Sequence, residues 1–427
     1  MLAPIWIVLF GAGCVPIPYL LANAHYSRQY ARSSARATVA PAEISVVVPV
    51  HGPWTERFDA CLTSIAAQGG PFVVVGDGCL EPYRTATESM GGTFVHLPVN
   101  RGKKAALLAG LEQVSTPFVL FVDSDTVLPP EAAVRLASHM TPGIGGVGAN
   151  LGVEDTGTWT AAAAEFVERS REVVLRAMST RGSVPYLDGA CVLHRTELIR
   201  PFLASAEFQS MRVAGRASRL GDDWQLTDFL LRSGWRTVKA YEVRVDTAPK
   251  ATASGFVGQN VRWARSNWIR LGSYLRRGFP RGVGRFYAYE MTATYLLPLI
   301  TLATLLSRLP LLAHDATLSS ADAGATLLVA IHLVIGIPRA TWAGLVHVSS
   351  MVVGAFATGA FLGATLRTSP NATARLVVWG AAAMGVMFVT SIYGLLTFWV
   401  EPRWAAPSAE LAPGPAAART PTPTEPV

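Results

Sequence analysis

Long apolar stretches stand at both ends of this chain and are missing from its middle, and that segregation limits what it can fold into. Residues 43–260 mix charges with short apolar runs. Residues 2–24 and much of the chain after residue 286 are apolar over far longer lengths. Crossing the bilayer core takes about 20 residues. Residues 2–24, with "PIWIVLFGAGCVPIPYLL", reach that length. Further spans are expected near 287–310, 323–338, 343–366 and 376–400, with "GIPRATW" blurring the start of the third. Hydrophobic residues make up 50% of the chain and its mean hydropathy is +0.32. That is too apolar for an ordinary soluble protein. A signal peptide carries its charge before the apolar run; here Arg28, Arg32 and Arg36 follow it. The run therefore reads as an anchor with its N-terminus outside.

The formal charge is +7 and the isoelectric point about 9.4. A basic balance suits nucleic acid or an anionic membrane surface. The arginines cluster where apolar stretches end: Arg28, Arg32 and Arg36 after the first, and Arg276, Arg277, Arg281 and Arg285 before the second. That placement favours the cytoplasmic face of a membrane. No interleaving of aromatic and basic residues suggests a nucleic-acid partner. Cys14, Cys61, Cys79 and Cys191 form no CxxC pair and no zinc spacing, so they read as reduced residues in a cytoplasmic compartment.

From Glu43 the pattern changes. "ISVVVPV" (44–50), "FVVVGD" (72–77), "FVHL" (94–97) and "FVLFVD" (118–123) are short runs rich in β-branched residues. Helix-like stretches at 56–68, 80–90 and 102–114 separate them. Such alternation predicts an α/β domain, a mostly parallel sheet with helices on both faces. Ligands of these sheets bind at the carboxyl ends of the strands. Asp77 and Asp123 both stand at such ends.

Asp123 and Asp125 flank Ser124. Carboxylates two apart on an extended segment point the same way, about 7 Å apart at Cα. Such a pair suits Mg²⁺ or Mn²⁺, though it can also cap a loop. "NRGKKAAL" (100–107) puts Lys103 and Lys104 at an expected helix start, in a chain whose other lysines are Lys239 and Lys250. Cations at a helix N-terminus suit phosphate. "LGDDWQLTDFLL" (220–231) joins Asp222 and Asp223 to an amphipathic helix. One of the two can cap that helix, and a carboxylate held in a cleft is a candidate general base. "QNVRWARSNW" (259–268) offers Gln259, Arg262 and Trp263. Arg262 suits a phosphate, and Trp263 either stacks on a sugar or belongs to a membrane-interface belt.

"VDSDT", "GDDWQLT" and "QNVRW", in this order and flanked by apolar spans, resemble the processive family 2 glycosyltransferases. The hyaluronan synthases, the nodulation chitooligosaccharide synthases and the cellulose synthases belong to that family. The resemblance covers roughly residues 44–270 and implies a GT-A-type domain inserted between N-terminal and C-terminal transmembrane helices. It implies that Asp77 contacts the uracil of a UDP-sugar and that Lys104, with Lys103, faces the diphosphate. Asp123 would bind the nucleotide-sugar and Asp125, with Asp123, a divalent cation, Mg²⁺ or Mn²⁺. Asp223, beside Asp222, would be the general base. Gln259 and Arg262 would hold the diphosphate, and Trp263 would stack on the acceptor. Asp188 and Gly189 of "LDGAC" would belong to an acceptor-site loop. The chain departs from the family at Gly76, where "DDGS" has its first aspartate, at "PVHGPWTE" in place of "PxYNE", and at Trp224, where hyaluronan synthases carry arginine.

The expected organisation is an N-terminal anchor over 1–27, a basic linker over 28–42 and a cytoplasmic glycosyltransferase domain over 43–270. An amphipathic segment over 271–286, transmembrane helices over 287–400 and a disordered tail over 401–427 follow. The expected reaction is inverting transfer of a sugar from a UDP-sugar, of GlcNAc or glucose type, to a growing β-linked polysaccharide at a bacterial plasma membrane, with export through the bilayer or a partner. Rival readings are a transferase that adds one sugar to a lipid carrier, and a non-catalytic nucleotide-sugar-binding sensor or transport subunit.

Overall fold

A computed structural model describes residues 15–30, 37–318 and 342–400. The chain divides into two compact units. The larger holds Ser33–Glu168, Pro185–Arg270 and Thr373–Val427; the smaller holds Met1–Arg32, Arg169–Val184 and Leu271–Ala372.

The larger unit is built on β1 (Ile44–Val50), β2 (Phe72–Asp77), β3 (Thr93–Leu97), β4 (Phe118–Val122), β5 (Thr126–Val127), β6 (Ile144–Val153), β7 (Cys191–Arg195) and β10 (Arg236–Thr247). These form one sheet in the order β3-β2-β1-β4-β7-β6-β10-β5. A separate hairpin joins β8 (Arg212–Val213) to β9 (Arg216–Ala217). The pairs β1–β2, β1–β4, β2–β3 and β6–β10 are parallel. β7 lies antiparallel to both β4 and β6, and β5 antiparallel to β10. The sheet is thus mostly parallel, as its sequence pattern predicts, with β7 reversed at its centre.

Alternation along the strands sorts valines onto two cores. Val46, Val48, Val74 and Leu120 face one side, against Phe58, Leu62 and Ile65 of the helix Glu56–Ala66. Val47, Val73, Val75, Val119 and Phe121 face the other. There they meet Leu107 and Leu111 of the helix Lys103–Glu112 and Leu226 and Leu230 of the helix Asp222–Arg232. Each such side chain stabilises the fold by about 1.5–3 kcal/mol when fully buried. Helices therefore cover both faces and leave the strand ends open.

One expectation needs correction. β4 ends at Val122, and Thr126 N donates to Asp123 O at 3.0 Å. Asp123 and Asp125 therefore sit on a tight turn rather than on one extended segment, and their spacing is set by that turn. The helix Ala253–Arg277 spans residue 270, the position at which the sequence reading ends the glycosyltransferase domain and at which the two compact units also divide.

In the smaller unit the helix Pro16–Arg28 packs Ala24 against Val173 and Ala364. Asn23 Nδ2 donates to Glu290 Oε2 at 2.9 Å, linking that helix to the helix Gly284–Leu318. A further helix covers Trp342–Thr368. Among the described residues one helix, Ala374–Leu395 of the larger unit, is long and apolar enough to cross a membrane. The apolar stretch before residue 15, the expected span at 323–338 and the tail after residue 400 lie outside the described residues.

Candidate active site

β1, β2 and β4 run parallel, so their carboxyl ends open together. At the end of β2, Asp77 is buried and bound twice: Oδ1 accepts from Arg101 N at 2.6 Å and Oδ2 from Gly102 N at 2.8 Å. The carboxylate thereby fixes the loop that starts the helix Lys103–Glu112. His51, at the end of β1, makes a 2.7 Å bond to Asp77 O and a 2.9 Å bond to Asn100 Nδ2. The carbonyl can only accept, so Nδ1 is the donor and Nε2 accepts from Asn100.

That helix start aims Lys103 into the cleft. Lys103 Nζ lies 2.6 Å from Asp123 Oδ1 and 3.3 Å from Asp222 Oδ2. Burial disfavours its charge, but Asp123 and Asp222 outweigh burial and hold the ammonium protonated. Lys104 is placed elsewhere, which corrects its expected role. Its Nζ donates to Gln225 Oε1 at 2.6 Å and to Phe208 O at 3.0 Å. Burial pushes its pKa down to about 8. Of the two lysines, Lys103 faces the carboxylates and Lys104 faces the packing behind them.

Asp222 and Asp223 open the helix Asp222–Arg232. Burial works against ionising Asp222, yet Lys103 and Lys104 overcome it and hold the carboxyl low. Asp223 is pushed up to about 6, first by burial and then by Asp222 beside it; Trp224 N, 2.7 Å from its Oδ1, pulls the other way. Two adjacent carboxylates thus take different protonation behaviour from different surroundings, the pattern that separates a charge-stabilising carboxylate from a base. Gly221 before them has φ +84, and a Cβ there would stand 2.0 Å from Trp224 Nε1.

Gly189 also reaches this cleft. A Cβ on it would lie 3.2 Å from Lys103 Nζ and 3.7 Å from Asp222 Oδ2. Asp188 does not behave as expected. Its side chain is buried and pairs with Lys239 on β10, so it lies behind the wall rather than on it. The cleft holding Lys103, Asp123, Gly189, Asp222 and Asp223 is walled by Pro49, Leu107, Phe121, Leu187, His194 and Leu226. Gln259, Arg262 and Trp263 lie on the helix Ala253–Arg277, half-buried, and are not among the residues lining that cleft. Trp263 packs beside Ala163, Val167, Phe256 and Ala383.

The turn after β4 is clamped by a residue that the sequence did not single out. Arg57 donates to Asp125 O at 2.8 Å, to Glu154 Oε2 at 2.7 Å and to Asp246 O at 2.6 Å. It ties the turn to the ends of β6 and β10. A lone arginine in a helix carries no sequence signal for that role. The Asp125 carboxylate itself takes no hydrogen bond or ion pair among the described residues. Two hard carboxylates on one turn fit a small divalent cation. No group of three or more His, Cys, Asp or Glu converges among the described residues. Such a cation would therefore draw its other ligands from substrate oxygens and water.

The family description "Glycosyltransferase like family 2" matches residues 41–266, which contain every one of these groups. The chain belongs to that family. It is a glycosyltransferase. An N-acetylglucosaminyltransferase of Rhizobium meliloti is 31% identical over 301 residues, covering 65% of this chain and 69% of that protein. An N-acetylglucosaminyltransferase of Azorhizobium caulinodans is 29% identical over 288 residues, covering 61% of this chain and 69% of its own. Among solved structures, a mannosyltransferase of Pyrobaculum calidifontis in complex with GDP-Man and Mn²⁺ superposes with a TM-score of 0.58 at 18% identity. That match covers 85% of this chain and 98% of the mannosyltransferase, a likeness of fold.

Proposed function

We propose that this glycosyltransferase is membrane-embedded and inverting, and that it moves N-acetylglucosamine from UDP-GlcNAc onto a growing β-linked oligosaccharide. The observation that carries the reading is the meeting of Asp222 and Asp223 with Lys103 and Asp123 in one cleft, where burial and Asp222 raise the Asp223 carboxyl. The relatives named N-acetylglucosaminyltransferase support the choice of sugar.

Asp223 takes the proton of an acceptor hydroxyl, which attacks the anomeric carbon from the face opposite UDP. One displacement inverts that carbon. Lys103 meets the diphosphate at the helix start fixed by Asp77, with Gln259 and Arg262 as further diphosphate ligands. Asp123 and Asp125 would hold Mg²⁺ or Mn²⁺, which offsets charge on the departing diphosphate. Gly189 borders the acceptor and Trp263 stacks on it. The catalytic unit lies in the cytoplasm of a bacterial cell, and the apolar helices anchor it to the plasma membrane. A soluble cytoplasmic fraction that retains all of the protein would overturn the anchoring.

Purified protein incubated with Mn²⁺, a chitooligosaccharide primer and a panel of UDP-sugars tests the reading. UDP-GlcNAc is expected to support extension by several residues, sized by mass spectrometry. Transfer from another UDP-sugar alone overturns the choice of sugar. Addition of a single residue overturns the extension.

A further inference from the structure

Two consecutive residues, Leu187 and Asp188, tie the acceptor-side wall to the rest of the domain. Leu187 N donates to Thr227 Oγ1 at 3.1 Å, and Thr227 Oγ1 donates to Asp223 O at 2.9 Å. Asp188 Oδ2 accepts from Lys239 Nζ at 2.5 Å. Gly189 abuts the cleft, where a Cβ on it would lie 3.7 Å from Asp223 Cβ. Lys239 is 4% exposed and Asp188 7%. A buried pair of this kind is strongly destabilised when one partner alone is removed, because the other charge is left in a poor medium.

We propose that Lys239 is a positioning residue for the glycosyl transfer: through Asp188 it fixes the wall at 187–189 and cancels a negative charge that otherwise acts on Asp223. This rests on the reading of Asp223 as the base. The groups that face Asp223 are few. Asp222 lies on its own helix, Asp188 is buried behind the wall, Lys103 stands on the helix Lys103–Glu112, and Lys104 beside it acts only through its charge. His194 of β7 lines the same cleft, and burial keeps it neutral. Asp188 raises the Asp223 carboxyl, and Lys239 limits that push by pairing with Asp188. The pair therefore sets both where the wall stands and where the base titrates.

The two members of the pair predict shifts of opposite sign. Lys239→Met leaves the Asp188 charge exposed to Asp223, so the acidic limb of the rate profile moves up by about half a pH unit or more. Asp188→Asn leaves the Lys239 charge instead, so the same limb moves down. General damage to the fold gives no such opposition. Lys239→Arg keeps the charge and returns the limb to its wild-type position. Both neutralising variants lose the tether, so the acceptor KM rises on the order of tenfold, from misplacement of the wall.

The experiment measures rates from pH 5 to 9 on the full chain, with UDP-GlcNAc as donor and a chitooligosaccharide as acceptor. Shifts of opposite sign with a raised acceptor KM support the proposal. Shifts of the same sign, or none, overturn it. Should Lys239→Met fail to fold, Asp188→Asn decides, and a limb that does not move down overturns the proposal. Asp223→Asn run alongside separates the two claims. If it keeps wild-type turnover, the base assignment fails, and the tether stands or falls on the acceptor KM of the other variants.

Discussion

The Lys103 ammonium lies 2.6 Å from the Asp123 carboxylate, so the start of one helix and the end of β4 meet across the cleft. Asp77 makes this possible by holding the backbone of Arg101 and Gly102, the two residues ahead of that helix start. The neighbouring lysine donates to Gln225 and Phe208 instead and reaches the paired aspartates only through its charge.

Lys103→Met and Lys104→Met should therefore differ. Removing Lys103 takes a cation from the site of developing charge, where one lost donor typically costs about 10²–10³ in rate. Removing Lys104 leaves two buried acceptors unpaired, which costs about 1–3 kcal/mol of stability for each such group. Steady-state rates and thermal unfolding of both variants check this. The assignment fails if Lys104→Met loses the rate while Lys103→Met keeps it.

Gly221→Ala should impair both stability and transfer. The residue has φ +84, and a Cβ would stand 2.0 Å from Trp224 Nε1, so the indole beside the paired aspartates must move. Gly215→Ala is the control: its φ is +79 but nothing lies within 4 Å of an added Cβ. The backbone conformation alone costs about 1–2 kcal/mol. A drop in melting temperature equal for the two variants, with equal activity, would show that the indole yields freely.

Chelation should abolish turnover, with Mn²⁺ or Mg²⁺ restoring it. The motive is the turn that brings Asp123 and Asp125 to one strand end, with the Asp125 carboxylate uncommitted among the described residues. Binding of Mn²⁺ in the presence of UDP, followed by electron paramagnetic resonance, gives a readout independent of rate. Full activity in excess EDTA would sink this assignment.

Much of the parallel half of the sheet was legible because β-branched residues alternate with helical patterns there, and a period that changes between 2 and 3.6 is a strong local signal. β1 to β4 fall where the runs "ISVVVPV", "FVVVGD", "FVHL" and "FVLFVD" stand. β6 was not, since "IGGVGANLGV" carries four glycines and little pattern. Those glycines answer to packing: a Cβ on Gly146 would meet Leu187 at 2.9 Å and His194 at 3.1 Å. The site divides the same way. Carboxylates at strand ends were visible, but the direction of a side chain was not. Lys103 and Lys104 are adjacent and identical in type, and only the helix geometry sends one to Asp123 and the other to Gln225. Partners remote in sequence, such as Arg57 with Asp125 and Lys239 with Asp188, left no local trace.

Asp223→Asn should remove chemistry while sparing donor binding. Asparagine keeps the size and still accepts a hydrogen bond from Trp224 N, so the helix start should hold. It cannot take a proton, and general-base assistance typically contributes about 10²–10⁴-fold. The pH dependence follows from the same carboxyl. Burial and Asp222 raise Asp223 to about 6, and a base works only when deprotonated, so the wild-type rate should fall as pH drops through that value. The acidic limb should vanish in Asp223→Asn. Asp125→Asn should differ by weakening Mn²⁺-dependent UDP binding together with turnover. The decisive measurements are UDP affinity with Mn²⁺ and the transfer rate across pH, for both variants. If Asp223→Asn transfers sugar within a few-fold of wild type and keeps the acidic limb, the base lies elsewhere in the cleft, and Asp222 is the next carboxylate to replace.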